Sequence, residues 1–295
     1  MMFGLIDNPV SGGGAHAELI RQIESAIAER GERCQMFVTQ AAGDGERQTR
    51  AAIKAGCTDI VVVGGDGSLS DAVRALAYSD ATLYIVPSGT GNDFARALGL
   101  PKNPFEAFRA QLDGECAQID CGAVNGRPFI NVAGTGFDVE VLRRTEELKD
   151  IYPGEKAYRR ALLSILSKYE TMEMEVSVDE APFSRQRLTI VEAANGRFFG
   201  GGMQIAPDAK VDDALLDIVQ IRRVPRRAIP FLLPLLIVGL HVHLPIAKVC
   251  RAKRVTIRRS GMVVNIDGRL EAMDEARFEV LSGALRVRRP AKKAR

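Results

Sequence analysis

The chain has 295 residues, 46% of them hydrophobic and 26% charged, the balance of a globular protein with room for one large domain or two. Lys and Arg number 40 against 37 Asp and Glu; the net charge of +3 excludes a globally basic nucleic-acid binder and leaves only local basic patches. Cys34, Cys57, Cys116, Cys121 and Cys250 are odd in number, irregularly spaced and lack a CxxC pair. This excludes a secreted disulfide framework and suggests free thiols in a reducing cytosol. The N-terminus has no basic region before its apolar stretch, so no signal peptide is expected. The pair His241 and His243 sits beside an apolar run and reads as structural rather than metal-binding.

Taken in chain order, the first hundred residues alternate between strand and helix signals. Residues 3–7 form a short apolar strand. Residues 15–30 place Leu19, Ile20, Ile23 and Ile27 at helical spacing, and Gly31 stops the helix. Residues 33–39 read as a strand and 46–55 as a helix ended by Gly56. The β-branched run at 60–63 suits a strand buried on both faces. A helix at 68–77, a strand at 82–86 and a helix at 90–98 complete the series. This β-α-β-α order predicts a doubly wound parallel sheet whose ligands bind at the carboxyl ends of its strands.

Beyond the prolines at 101 and 104 and a helix at 105–112, the texture changes. Strands at 118–124 and 127–132 flank Asn125-Gly126, a hairpin signal. Further strands are expected at 172–178, 185–193, 215–221, 254–258, 262–266 and 277–281. Helical insertions are expected near 139–149, 157–169 and 226–240. The expected division is therefore a parallel-sheet nucleotide domain over 1–125 and an antiparallel β-sandwich over 126–295. The most apolar stretch, 229–240, is interrupted by Pro230, Pro234 and Gly239 and falls short of the roughly 20 residues that a membrane span needs.

Three glycine-rich loops follow three predicted strands: Asn8-Pro9-Val10-Ser11-Gly12, Gly64-Gly65-Asp66-Gly67-Ser68, and Pro87-Ser88-Gly89-Thr90-Gly91-Asn92-Asp93. Glycine lets main-chain N–H groups approach an anion, and a following helix N-terminus adds a favourable dipole, so the set points to phosphate. No GxxxxGK[ST] motif is present, and Thr39-Gln40 closes strand two where a dinucleotide fold wants an acid. Phosphoryl transfer needs carboxylates to organise Mg²⁺ and a base near the acceptor hydroxyl. Asp66, Asp93, Asp120 and Asp267 are placed to serve. Three of them also have a plainer reading: a turn residue for Asp66, an N-cap for Asp93, a hairpin turn for Asp267-Gly268.

These loops, with Asn92-Asp93-Phe94-Ala95-Arg96, Asn195-Gly196-Arg197-Phe198-Phe199-Gly200-Gly201-Gly202, Ile205-Ala206-Pro207, Asp212-Asp213-Ala214-Leu215-Leu216-Asp217 and Asp267-Gly268, resemble the soluble diacylglycerol kinase family. That family includes the YegS-like lipid kinases and the sphingosine and ceramide kinases. The resemblance spans nearly the whole chain. It implies a nucleotide domain similar to phosphofructokinase and NAD kinase, a β-sandwich, and an active site in the cleft between them. It also implies ATP contacts from Asn8, Pro9, Val10, Ser11, Gly12, Thr39, Gly64, Gly65, Asp66, Gly67, Ser68, Leu69, Ser70 and Thr90. Asp66, Asp93 and Asp120 would organise the catalytic Mg²⁺, partly through water. A structural Mg²⁺ would sit at Lys210, Asp213 and Leu215.

The chain departs from the family pattern at Ser68, Ser70 and Asp71, which are mild replacements, and at Arg269, which is not. The family's Asp-Gly-Glu reads Asp267-Gly268-Arg269 here, and a guanidinium cannot accept a proton. Asp267 is left as the expected base, beside Asp66 as the other catalytic carboxylate. The resulting expectation is an ATP- and Mg²⁺-dependent lipid kinase acting on diacylglycerol, with sphingosine, ceramide or phosphatidylglycerol as alternative acceptors. A NAD kinase and, given Arg269, a weakly active or inactive lipid or nucleotide binder are the other readings. No nucleic acid partner is expected; a homodimer is left open. The expected location is the cytoplasm, with transient attachment to a membrane surface where the lipid substrate resides. Arg222, Arg223, Arg226, Arg227 and the apolar helix after them could form a basic docking face. A helix packed on the β-domain with solvated arginines is the favoured alternative. The tail from Arg286, with six basic residues in its last ten, is a second candidate for membrane contact.

Overall fold

The computed structural model describes residues 1–9, 15–152, 155–166 and 169–291. It divides into two compact units, Met1–Cys121 with Ser282–Arg295, and Gly122–Leu281.

The first unit is built on parallel strands in the order β2 (Arg33–Val38), β1 (Met2–Asp7), β3 (Asp59–Gly64), β4 (Thr82–Pro87). Every residue of β3 is buried, as its β-branched run predicts. Helices α1 (Ala15–Ala28) and α5 (Pro104–Leu112) cover one face. There Ile20, Ile23 and Ile27, on one stripe of α1, meet Phe3, Val61, Tyr84 and Phe108. Burying each such aliphatic side chain is worth about 1.5–3 kcal/mol. Helices α2 (Gly45–Lys54) and α3 (Asp66–Leu76) pack together, α2 against β1 and α3 against β3. The short α4 (Asp93–Ala97) follows β4. In α5, Asn103 caps the first turn by accepting from the Glu106 N–H at 3.0 Å, with Pro104 in the first turn.

The compact units depart from the expected division at residue 125 in two ways. The division falls within β5 (Glu115–Val124), and the chain's end returns to the first unit. The 21-residue strand β13 (Arg269–Arg289) starts in the second unit and finishes in the first, where Arg286 and Val287 run parallel to Thr82 and Leu83 of β4. That pairing adds a fifth strand to the parallel sheet, so hydrogen bonding rather than sequence proximity decides where the tail belongs.

The second unit is antiparallel. Its main path runs β11 (Ala247–Ala252), β10 (Leu216–Arg222), β9 (Ser184–Ala194), β7 (Val132–Gly136), β12 (Arg254–Ile266), β13. Strand β8 (Met172–Val178) pairs with both β9 and β12 around a core of Met174, Val176, Leu188, Val191, Ile257 and Val264. Two hairpins follow their turn residues. Asn125-Gly126 joins β5 to β6 (Arg127–Phe129), and Asp267-Gly268 joins β12 to β13. All four turn residues have positive φ, as a two-residue type I′ turn requires. Helices α6 (Phe137–Leu148), α7 (Glu155–Leu166) and α8 (Ile229–Ile237) are the three expected insertions, and β11 is a strand the sequence patterning misses.

Candidate active site

In the first unit the parallel arrangement brings the ends of β1 to β4 to one edge of the sheet. Thr39 N–H donates to the Asp7 carbonyl at 2.8 Å, and Ser88 N–H to the Gly64 carbonyl at 3.0 Å. Asn8 Nδ2 reaches Ser68 Oγ at 3.2 Å, tying the loop after β1 to the loop after β3. The loops after β3 and β4 touch backbone to backbone: a Cβ added to Gly89 would lie 2.4 Å from the Gly65 Cα. Asn92, with φ of +51°, clamps its loop by accepting from Gly89 N–H at 3.1 Å and donating to the Gly89 carbonyl at 2.7 Å.

Asp66 opens α3, and its Oδ1 accepts from Asp93 N–H at 2.8 Å, so two predicted carboxylates meet. Asp93 is in turn held by Arg96 at 2.6 Å. A Cβ on Gly91 would stand 2.6 Å from Asp66 Oδ2 and 3.7 Å from Asp93 Oδ2. The missing side chain therefore keeps open a space faced by two hard oxygen atoms, a donor set that suits Mg²⁺. Among the described residues no group of three or more His, Cys, Asp or Glu could hold a metal by itself. Mg²⁺ commonly takes one or two carboxylates and fills its shell with phosphate oxygen and water. Asp120 is buried on β5, where Oδ1 accepts from Gly283 N–H at 2.8 Å. Thr90 is exposed, whereas the side chains of Leu69 and Ser70 are buried inside α3, Ser70 Oγ against Arg74. Val10, Ser11 and Gly12 lie outside the described residues.

In the second unit Asp267 is an anchor. Its carboxylate accepts main-chain N–H groups from Ile130 at 2.8 Å, Asn131 at 3.0 Å and Val132 at 3.2 Å. Asn195 Nδ2 supports the same segment by donating to the Ile130 carbonyl at 2.7 Å. Behind the turn runs a relay that sequence reasoning misses. Gly268 N–H donates to Asn265 Oδ1 at 2.8 Å, and Asn265 Nδ2 donates to Asp138 Oδ2 at 2.9 Å. Glu192 faces Asp138 from β9, fully buried, its carboxylate lying over Gly134, where a Cβ would meet Oε2 at 2.2 Å. Only the alternation of β9 hints at this, because Glu192 breaks a strand otherwise apolar from Leu188 onward except at Thr189.

Burial pushes both carboxyl groups up, Glu192 well above its ordinary value, with the neighbouring Asp138 charge adding to the rise. Asp138 has Asn265 and the Val139 N–H as donors, while neither oxygen of Glu192 meets one, so Glu192 holds the proton. The fold retains this proton, whereas the unfolded chain releases it above about pH 4.5. Stability therefore falls as pH rises from there toward the raised value. Glu192→Gln keeps a donor toward Asp138 and removes the titration. Its melting temperature is expected to vary less with pH and to exceed wild type on the alkaline side. A melting profile parallel to wild type across that range would overturn the shared-proton assignment.

Around the expected structural metal, Asp213 Oδ1 accepts from Leu215 N–H at 3.2 Å, and Asp217 Oδ2 is buried without a partner. Arg251 lies 3.6 Å from Asp217. Burial raises the Asp217 carboxyl, partly offset by Arg251, and the charges of Asp213 and Asp208 add to the rise. Among the described residues these carboxylates do not gather into a group of three or more that could hold a metal ion.

Comparison with known proteins agrees with this fold. Residues 2–124 match the diacylglycerol kinase catalytic domain, and residues 131–289 match the YegS C-terminal NAD kinase beta sandwich-like domain. The chain is 35% identical over 292 residues to a diacylglycerol kinase of Mycobacterium tuberculosis, covering 97% of this chain and 94% of the relative. It is 37% identical over 278 residues to a probable lipid kinase, YegS-like, of Pseudomonas aeruginosa, covering 93% and 90%. In fold it is similar to a diacylglycerol kinase from Bacillus anthracis, with a TM-score of 0.73 at 21% identity over 98% of this chain and 96% of the other. An NAD kinase from Archaeoglobus fulgidus in complex with ATP shares the fold more distantly, with a TM-score of 0.54 at 14% identity over 99% and 95%. With two family models in sequence along its length and these relatives, the chain belongs to the diacylglycerol kinase and YegS-like family and is a lipid kinase that uses a nucleotide as phosphoryl donor.

Proposed function

We infer that the enzyme transfers the γ-phosphate of ATP, with Mg²⁺, to the hydroxyl of diacylglycerol at a membrane surface. The observation that carries this reading is the contact of the Gly65 and Gly89 loops beside the Asp66–Asp93 pair. Main-chain N–H groups at the α3 N-terminus would cradle the phosphates, beside the contact of Asn8 with Ser68. Asp66 and Asp93 would hold Mg²⁺, which when bound neutralises charge developing on the transferred phosphoryl group. Asp120 is assigned to the same charge network.

Asp267 is assigned to accept the proton of the lipid hydroxyl. The three N–H groups on its carboxylate fix its orientation, and the Asn265–Asp138–Glu192 relay holds the turn that carries it. Its second duty is thus structural. The second unit has a cavity of about 560 Å³ whose walls mix Val139, Ile165, Tyr169, Met172 and Val263 with Glu140, Arg143, Glu170 and Arg259. The M. tuberculosis relative's name supports diacylglycerol over sphingosine, ceramide and phosphatidylglycerol.

The test is transfer of label from γ-labelled ATP to a panel of these lipids in mixed micelles, with NAD as a further acceptor. Mg²⁺-dependent labelling of diacylglycerol above the others is expected. Labelling of NAD alone, or of nothing, would overturn the reading.

A further inference from the structure

Helix α8 does not follow its composition. A helix apolar all round is normally buried, and the sequence favours packing on the β-domain. In the structure only Ile229 of this helix is buried. Phe231 is 79% exposed, and beyond it Ile237, Val238 and Leu240 are 48%, 54% and 52% exposed. The inner side is pinned. Leu236 packs against the small core of Val132, Ala194 and Ile205, its carbonyl accepts from Gln204 N–H at 3.1 Å, and His241 Nε2 lies 3.2 Å from the Ile205 carbonyl. The helix is therefore seated, with its other side left toward solvent.

Charge points to what covers that side. From Ile218 to Ile266, 49 residues contain no Asp or Glu, in a chain that has 37 of them, and ten Lys or Arg. Arg222, Arg223 and Arg227, just ahead of α8, are exposed. A second copy of the chain meeting this face about a two-fold axis would set these arginines against their own counterparts. An anionic surface would attract them and accept the apolar side chains between its headgroups. The nine residues of α8, interrupted by Pro234, are too short to cross a bilayer and suited to lie in its interface.

We propose that the exposed side of α8, with Phe231, Ile237, Val238 and Leu240 flanked by Arg222, Arg223 and Arg227, is the face by which this enzyme docks on anionic phospholipid. The proposal deepens the lipid-kinase reading by naming where the chain meets its substrate's membrane, and its test does not depend on turnover.

The experiment is flotation of the full chain with phosphatidylcholine vesicles, with and without phosphatidylglycerol. Wild type is expected to float with the anionic vesicles and to be released by salt. Arg222→Ala/Arg223→Ala/Arg227→Ala is expected to weaken binding on the order of a hundredfold. Phe231→Asp should weaken it at any salt concentration. Both variants should keep the wild-type melting temperature, which separates lost docking from lost folding. Both should also phosphorylate a dispersed short-chain acceptor at the wild-type rate. Flotation of both variants equal to wild type overturns the proposal, as does no flotation of wild type. So does a change in oligomeric state with vesicle binding intact, which would assign the face to a second copy. Flotation that depends on α8 in a protein that labels no lipid would instead leave docking standing and remove the kinase reading.

Discussion

Replacing Asp66 by Asn is expected to lower turnover at least ~10²-fold while leaving the melting temperature close to wild type. The two halves of this expectation have separate causes. Asp66 Oδ1 accepts from Asp93 N–H at 2.8 Å, and an amide oxygen can keep that bond, so α3 and α4 stay joined. Oδ2 faces the space left by Gly91, where a carboxylate oxygen can bind a hard cation and an amide nitrogen cannot. Gly91→Ala approaches the same point sterically, because its Cβ would stand 2.6 Å from that oxygen. A comparable fall in turnover is expected without any change of charge. Steady-state rates beside thermal melts decide the matter, and near-normal activity of Asp66→Asn would remove Asp66 from the mechanism.

The second large effect is expected at Asp267. As general base its loss should cost about 10²–10⁴-fold in turnover. As the acceptor of three main-chain N–H groups, its replacement by Asn should also destabilise the fold by about 1–3 kcal/mol, since an amide turns one donor toward another. The two roles separate in kinetics measured well below the melting transition. A base lost from a folded enzyme lowers kcat with the KM for ATP unchanged, whereas a loosened 130–132 segment recovers on cooling. Arg269→Glu restores the family's carboxylate two residues on. If it raises activity and rescues Asp267→Asn, the proton passes to residue 269. Full activity of Asp267→Asn would place the acceptor elsewhere, with Asp66 next in line.

Local signals made much of this legible from sequence. The β-branched run at 60–63 and the 3.6-residue stripe of Ile20, Ile23 and Ile27 are decided by burial against near neighbours, and so are visible in a short window. Asn125-Gly126 and Asp267-Gly268 name their own turns because few residues accept positive φ twice in succession. What was not legible depends on partners distant in the chain. Nothing around Glu192 announces that it shares a proton with Asp138, because their meeting is set by the register of β7 against β9. The apolar composition of α8 argued for burial, which is a statement about averages, whereas exposure is decided by what the rest of the fold provides to cover it. The return of the tail to the first sheet escaped for the same reason, since a strand's pattern says how it is buried and not which edge it joins.

That return carries a consequence for synthesis. The chain leaves the ribosome N-terminus first, and domains generally fold as units in that order. Here the parallel sheet has four strands by Pro87, yet its fifth is supplied by Arg286 and Val287, within the last ten residues. The β4 edge beside Thr82 and Leu83 therefore waits, unpaired, through translation of nearly two hundred further residues. A nascent chain in that interval carries an open strand edge, the kind of surface that recruits chaperones or pairs with a neighbouring copy.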